Sequence, residues 1–378
     1  LGEPVRPAAE GLEQILAGRY DVTFTARALT EWDRETIGEV PLVDGRFNFS
    51  STKQVCGSGS ATVLFADAEG QRKAPERVGD FLSPYGNWLE VTCHITSGPW
   101  KSSTILGRFE IGSPQTEDRG VADVGGTRRV TAETIKMRLD DAFLGTKSEP
   151  IVGVLQSTVG RSVRVELEEL LGLPVRMESR AVVTTLIEYP EDRLKAAFDL
   201  VQIVGGVPFM QWDATVGIRP NTWPAPTFNL RDGTAEQAGG IPISSVQVDE
   251  WDSTDVKNEV IVTAETADQL PLRTVRRITK GPLRYGSRMT GAWGRRSATY
   301  EMPAFDRLDQ VEAYADERFA ADTLPRAVGV SITMPVDPRL EPGDVGRLNT
   351  TTVSGLIRIK SVDYTVGASS MKVSAYLA

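Results

Sequence analysis

Apolar and polar residues alternate along most of this chain, and only a few stretches switch to helical spacing. In Tyr20-Asp21-Val22-Thr23-Phe24-Thr25-Ala26-Arg27-Ala28 every second side chain is apolar, which turns one face of a strand to a core and the other outward. The same period of two holds for Phe47 and Phe49, for Ala61, Val63 and Phe65, for Leu89, Val91, Cys93 and Ile95, and for Gly107, Phe109 and Ile111. Turn-rich pieces separate them: Asp44-Gly45, Gly57-Ser58-Gly59, Asp67-Ala68-Glu69-Gly70 and Ser97-Gly98-Pro99. Ahead of these strands, Ala8, Ala9, Leu12, Ile15 and Leu16 predict a helix, with Pro7 early in it and Gly18 just past its end.

The middle of the chain reads differently. Val163, Leu167, Leu170 and Leu171 mark an amphipathic helix with Ser162 as N-cap, ended by Gly172 and Pro174. A second helix opens at Pro190-Glu191-Asp192, carries Leu194, Ala197, Phe198 and Val201 on one side, and stops at Gly205-Gly206. Strands follow at Val207–Trp212 and Val216–Arg219, and then a Pro/Gly-rich joint from Pro220 to Pro242. The last third returns to strands. Glu259–Thr263, Val328 to Met334, Leu356–Val362 and Met371–Leu377 are strand-like, and a helix capped by Asp306 bears Leu308, Val311, Ala315 and Phe319. The pattern predicts a β-rich α+β protein in which two β-barrel or sandwich domains flank a small α+β domain. The expected divisions are a helix at 1–19, β-domains at 20–115 and 241–378, and the α+β unit at 116–240.

Composition narrows the chemistry. The 378 residues are enough for two to three domains, and 40% hydrophobic with 25% charged residues is the balance of folded chains. No apolar run approaches the roughly 20 residues of a membrane span, and Leu1-Gly2-Glu3-Pro4 lacks the basic flank and apolar stretch of a secretion signal. The net charge of −9 argues against bulk attraction to nucleic acid. Yet from Gln269 to Tyr300 no acid occurs, while Arg273, Arg276, Arg277, Lys280, Arg284, Arg288, Arg295 and Arg296 supply eight positive charges. Setting these aside leaves about −17 on the rest of the chain. With Gly and Pro among them, these residues read as an extended loop that pairs with an acidic neighbouring subunit. Tyr285 and Trp293 leave DNA contact as one alternative, and a merely solvated loop is the other.

Candidate catalytic groups are few. Cys56 and Cys93 cannot build a disulfide framework and read as buried, reduced thiols. His94, the single histidine, alternates with Cys93 and Ile95 and so faces away from the apolar side, a strand histidine before a general base. Gly57-Ser58-Gly59-Ser60 lacks the Gly-x-Ser-x-Gly context of a nucleophile elbow and the Lys of a phosphate loop, and reads as a hairpin turn. Asp249-Glu250-Trp251-Asp252-Ser253-Thr254-Asp255 offers carboxylates for calcium or a glycosidase but lacks EF-hand spacing. The tryptophans, among them Trp212, Trp223, Trp251 and Trp293, are packing residues first and sugar platforms second. No catalytic, cofactor-binding or metal-binding residue is assigned, and the expectation is a protein that is not an enzyme.

Near the C-terminus the helix Gln310-Val311-Glu312-Ala313-Tyr314-Ala315-Asp316-Glu317-Arg318-Phe319-Ala320 leads into a strand and then into Met334-Pro335-Val336-Asp337-Pro338-Arg339-Leu340-Glu341-Pro342-Gly343-Asp344-Val345. In that run Pro342 fixes the first corner of a type II turn and Gly343 takes the positive φ of the second. With the later Ile357-Arg358-Ile359-Lys360-Ser361-Val362, it resembles the closing segment of the tail-hub and baseplate-hub proteins of long-tailed bacteriophages. Asp80-Phe81-Leu82-Ser83-Pro84-Tyr85-Gly86-Asn87-Trp88-Leu89 and Leu106-Gly107-Arg108-Phe109-Glu110-Ile111 look like the hub proteins of phages of actinobacteria. The resemblance spans nearly the whole chain in order and layout, on turn-and-strand motifs.

It implies two tail-tube-like β-domains per chain and a homotrimer around an axial channel, a threefold part that docks on a sixfold tube. The implied role is to cap the tail tube at the virion's tail tip, anchor peripheral fibres and open for DNA exit. The implied partners are a distal tail protein or tube-end ring, the tape-measure protein and other minor tail or fibre proteins, with DNA passing unbound and assembly in the bacterial cytoplasm. Many relatives continue into fibre, lytic or host-binding domains, which this chain would leave to other proteins. A carbohydrate-binding receptor module and a cell-wall hydrolase are the rival readings.

Overall fold

The computed structural model describes residues 6, 8–30, 36–66, 75–80, 82–124, 127–148, 151, 155–177, 179–184, 186–189, 192–233, 240–248, 256–264, 271–302, 305, 307–323 and 329–377. A short helix α1 (Leu12–Leu16) buries Leu12 and Leu16. Six antiparallel strands follow: β1 (Asp21–Leu29), β2 (Thr36–Ser50), β3 (Gly57–Ala66), β4 (Trp88–Ser97), β5 (Trp100–Val124) and β6 (Thr127–Asp140). Their alternation works as expected, since Phe24, Ala26 and Ala28 of β1 and Leu89, Val91, Cys93 and Ile95 of β4 all turn into one core. The pairing order is β1-β4-β5-β6-β3-β2, and β1 also pairs with β2 from Leu29↔Thr36 to Thr25↔Pro41. The β5–β6 hairpin outreaches its neighbours. β4 accompanies it only to Glu110 and β3 only to Ala132, so among the described residues the two strands pair only with each other from Val121↔Val130 to Val124↔Thr127.

The chain then builds a second core from α2 (Phe143–Ser148), α3 (Val163–Leu171), α4 (Arg193–Val201) and the hairpin β7 (Gly206–Met210)–β8 (Val216–Pro220). Gly172 ends α3 at φ 64° and Gly205 ends the turn after α4 at φ 66°, the left-handed conformation that glycine adopts without strain. Asp192 caps α4 by accepting the Lys195 N–H at 3.0 Å, whereas the Ser162 side chain makes no capping bond.

The predicted joint from Pro220 to Pro242 contains β9 (Phe228–Arg231) and β10 (Ile241–Pro242), and β11 (Ser245–Val248) follows. A third core forms where α5 (Leu308–Thr323) lies on the sheet β13-β12-β14, made of β12 (Glu259–Ala264), β13 (Leu272–Arg277) and β14 (Ser297–Glu301). The predicted cap Asp306 lies outside the described residues. The chain closes with β15 (Gly329–Pro335), β16 (Val345–Asn349), β17 (Ser354–Thr365) and β18 (Ser370–Leu377).

The two expected β-barrels do not stand as separate bodies. β17 gives its first half to β16 and, from Ser361↔Ser50 to Thr365↔Arg46, pairs with β2, so strands from both ends of the chain form one antiparallel-dominated, thirteen-stranded sheet. The physical link is one shared apolar core. Phe47, Phe49 and Phe109 from the first part meet Tyr364 of β17 in an aromatic cluster with ring centroids 5.9–6.0 Å apart. Two predicted turns are also strand. Asp44-Gly45 lies inside β2, where a bulge between Leu42 and Asp44 absorbs the irregularity, and Gly57-Ser58-Gly59-Ser60 opens β3.

Those glycines serve close packing. A Cβ on Gly59 would sit 2.4 Å from the Arg46 carbonyl and one on Gly45 2.6 Å from the Ser60 carbonyl, so β2 and β3 approach only because both lack side chains. Gly59→Ala is expected to destabilise the fold by about 2 kcal/mol, read as a shifted denaturant midpoint. An unchanged midpoint would mean that the backbone yields there.

Candidate functional site

The predicted chemical candidates are dispersed. His94 lies half-buried on β4, its Nε2 2.8 Å from Thr25 Oγ1 and its Nδ1 2.7 Å from Ser103 Oγ, so two hydroxyls from flanking strands hold the ring. Ser58 and Ser60 run along β3, in register with Asp140 and Arg138. Cys56 belongs to the second core and Cys93 to the first, both free, and burial pushes each thiol up to about 12. Thiols so placed are neutral and shielded. Native protein is therefore expected to leave both unmodified by a maleimide at pH 8, and unfolded protein to react at both, as intact-mass spectrometry would count. Trp251 and the acidic run 249–255 lie outside the described residues. Among the described residues no cluster of three His, Cys, Asp or Glu side chains could hold a metal ion.

The basic segment is more ordered than an extended loop. Arg273, Arg276 and Arg277 lie on β13, and residues 278–296 form a compact loop before β14. Arg276 holds Asp316 of α5 through two bonds, at 2.5 and 3.2 Å, and Arg277 pairs with Glu259 while covering the Tyr285 ring at 4.9 Å. Arg296 covers Trp293 at 3.9 Å. The fully buried Asn258 is the loop's hub. Its Nδ2 donates to the Leu283 and Gly294 carbonyls at 3.1 and 2.9 Å, and its Oδ1 accepts the Arg296 N–H at 2.9 Å. Part of the positive charge is therefore spent inside the unit.

A site that sequence reasoning missed lies where the N-terminal arm, the large sheet and the second core meet. Residues 336–344 link β15 to β16 there. Asp344 N–H donates to the Glu341 carbonyl at 3.2 Å and Gly343 has φ 96°, the turn expected at Pro342-Gly343. Its flanks carry buried charge. Asp337, wholly buried, takes a bidentate grip from Arg339, which also reaches Glu13 of α1 at 3.5 Å. Arg6, 1% exposed, stands 2.9 Å from Glu341 Oε1 and donates to the carbonyls of Leu106 at 2.7 Å and Pro338 at 3.2 Å, over the Phe49 ring. From the other side Arg219 of β8 stacks on Phe209 at 3.7 Å and lies against Gly343, where a Cβ would come within 2.5 Å of its Cδ. Arg358 of β17 donates to the carbonyls of Pro220 and Asn221 at 2.7 and 2.9 Å.

Arg6 and Arg219 thus bring the N-terminal arm and β8 to one turn, Arg339 ties that turn to α1, and Arg358 ties β17 to the end of β8. Burial pushes the Asp344 carboxyl up to about 7, against the pull of the Arg219 and Arg6 guanidiniums, and lowers the Arg219 pKa. Nearby, Asp141, just past β6, accepts N–H groups from Gly57 and Phe143, beside a crevice against Phe109 and Met210 with room for about one water molecule. These groups fasten chain segments, and the crevice is too small for a substrate. The one sequence signal was the crowding of Asp337, Arg339, Glu341 and Asp344 into a turn between strongly apolar strands.

Comparison with known proteins gives a fold. The chain matches the crystal structure of a tail protein from Neisseria meningitidis MC58 with TM-score 0.60 and 12% identity, over 94% of this chain and 96% of that one. It matches the 43 kDa tail protein of prophage MuSo2 from Shewanella oneidensis with TM-score 0.59 and 8% identity, over 94% and 98%. No family model and no curated protein sequence matches it. The protein has the fold of these tail proteins along nearly its entire length.

Proposed function

We propose that this protein is a structural component of a phage tail, the hub of the tail tip, assembled as a homotrimer around an axial channel. The observation that carries the reading is the match to two tail proteins over 94% of the chain, too extensive for one shared module. The fold supports an assembly role physically as well. Among the described residues the end of the β5–β6 hairpin has no sheet neighbour, and an isolated two-stranded ribbon is marginal in water, so a partner in the particle would stabilise it.

In this reading the hub caps the tail tube, meets a distal tail protein or tube-end ring, the tape-measure protein and fibre proteins, and lets DNA pass without binding it. The resemblance of residues 80–89 and 106–111 to hub proteins of phages of actinobacteria belongs to the same proposal. The domain division would follow the three cores, with β6 and β15–β18 in the large sheet and residues 256–323 as an inserted unit. Cryo-electron microscopy of particles carrying a fusion tag on this chain tests the reading. Density for the tag at the tail tip, in three copies, is the expected result, and particles that lack the chain would overturn it.

A further inference from the structure

The compact basic loop between β13 and β14 leaves part of its charge unused. Arg273, Lys280, Arg288 and Arg295 are exposed and make no ion pair among the described residues. At the apex, a single 3-10 turn from Arg288 to Thr290, Met289 stands 97% exposed. The loop does not depend on a partner for its shape. Besides the Asn258 hub, Tyr285 N–H donates to the Ile278 carbonyl at 2.9 Å and Trp293 N–H to the Arg284 carbonyl at 3.1 Å. A loop that is ordered beforehand loses little entropy on docking, and a lone apolar side chain among arginines has the make-up of an interface anchor.

We propose that this loop is the contact by which one copy of the chain grips an acidic face of the next copy, an inference that rests on the tail-hub reading for its ring geometry. Each copy carries both halves of the contact, the basic loop and the excess of about seventeen negative charges elsewhere. Such a head-to-tail contact between unlike surfaces closes into a ring when the rotation between copies closes, and runs on as a filament when it does not. Nucleic acid is the weaker occupant. The rings that would stack on bases, Tyr285 and Trp293, are already covered by Arg277 and Arg296, and the chain outside the loop repels a polyanion.

The test is sedimentation velocity on the full chain over a range of concentration and salt, for wild type, Arg288→Glu/Arg295→Glu, Met289→Glu and the conservative Arg288→Lys/Arg295→Lys. Self-association of the wild type should weaken with salt. The double reversal should lower it by about a hundredfold, Met289→Glu should also weaken it, and the lysine pair should retain it. All variants should keep the wild-type thermal melt, because none of the three side chains joins the Asn258 network. Reversal variants that associate like wild type, or a wild type still monomeric at high micromolar concentration, would overturn the proposal. So would variants that lose only their binding to a duplex oligonucleotide. Mass spectrometry of purified particles separates the two readings: a chain found in tails whose association ignores the reversals refutes the loop contact alone, and association that obeys them in a chain absent from tails refutes the tail role alone.

Discussion

Arg6→Ala is expected to cost about 3–5 kcal/mol of stability, the usual result of leaving one member of a buried ion pair behind. Glu341 would remain in the interior without the guanidinium 2.9 Å away, and the carbonyls of Leu106 and Pro338 would lose a donor. The loss reaches across the molecule, because Arg6 ties the N-terminal arm to a turn more than 330 residues later. Equilibrium unfolding in urea would measure it. The double variant Arg6→Met/Glu341→Leu is the control, since removing both charges should recover most of the stability. A single variant within about 1 kcal/mol of wild type would mean that the arm does not need its pin.

Stability should fall as pH rises from about 4 to about 7. Burial pushes the Asp141 carboxyl from 3.8 to about 7, with Asp140 adding to the rise and the N–H groups of Gly57 and Phe143 opposing it. Asp344 shifts the same way, from 3.8 to about 7. In that window the folded state keeps protons that the unfolded chain has released, so each group lowers the unfolding free energy by about 1.4 kcal/mol per pH unit. The loss is complete above about pH 7 and absent below about pH 4. Carboxylates shifted the other way, such as Glu259 and Asp316, lose their contribution only below the ordinary carboxylate range, outside this window. Melting temperatures of wild type and Asp141→Asn from pH 4.5 to 8 test the assignment. The variant should keep only part of the wild-type decline, the part carried by Asp344 and by Asp199, whose carboxyl burial also raises, with a lower melt at acid pH because one backbone donor loses its acceptor. Identical declines would remove Asp141 from the account.

Much of the fold can be read from the residues because period-two patterning marks which face of a strand is buried. β1, β4, β15 and β18 were legible in this way, as were α3 and α4 through their spacing and terminal glycines. The same patterning says nothing about partners. Nothing in Val362 or Tyr364 specifies that β17 will lie beside Phe47 and Phe49, so one joined sheet looked like two bodies. The polar run Glu117-Asp118-Arg119-Gly120 shows no alternation, and the length of β5 was hidden with it. Short turn signals misled inside β2 and β3, where glycine was selected by close strand packing.

The buried junction was the least visible part. A lone Arg6 among the Pro, Val and Ala residues of the N-terminal stretch gives no sign of a partner, and only the folded chain brings it to Glu341. The basic segment was conspicuous from its charges alone, but its intrachain pairs and the Asn258 hub were not.

The join between β2 and β17 also dictates an order of events during synthesis. β2 leaves the ribosome early, with the edge from Arg46 to Ser50 open, and its neighbour emerges more than 300 residues later. Until then the nascent chain carries a sticky, half-satisfied border, open to pairing with other chains. A molecule cut short before β17 would keep that border exposed, a template for pairing with other chains and so for aggregation.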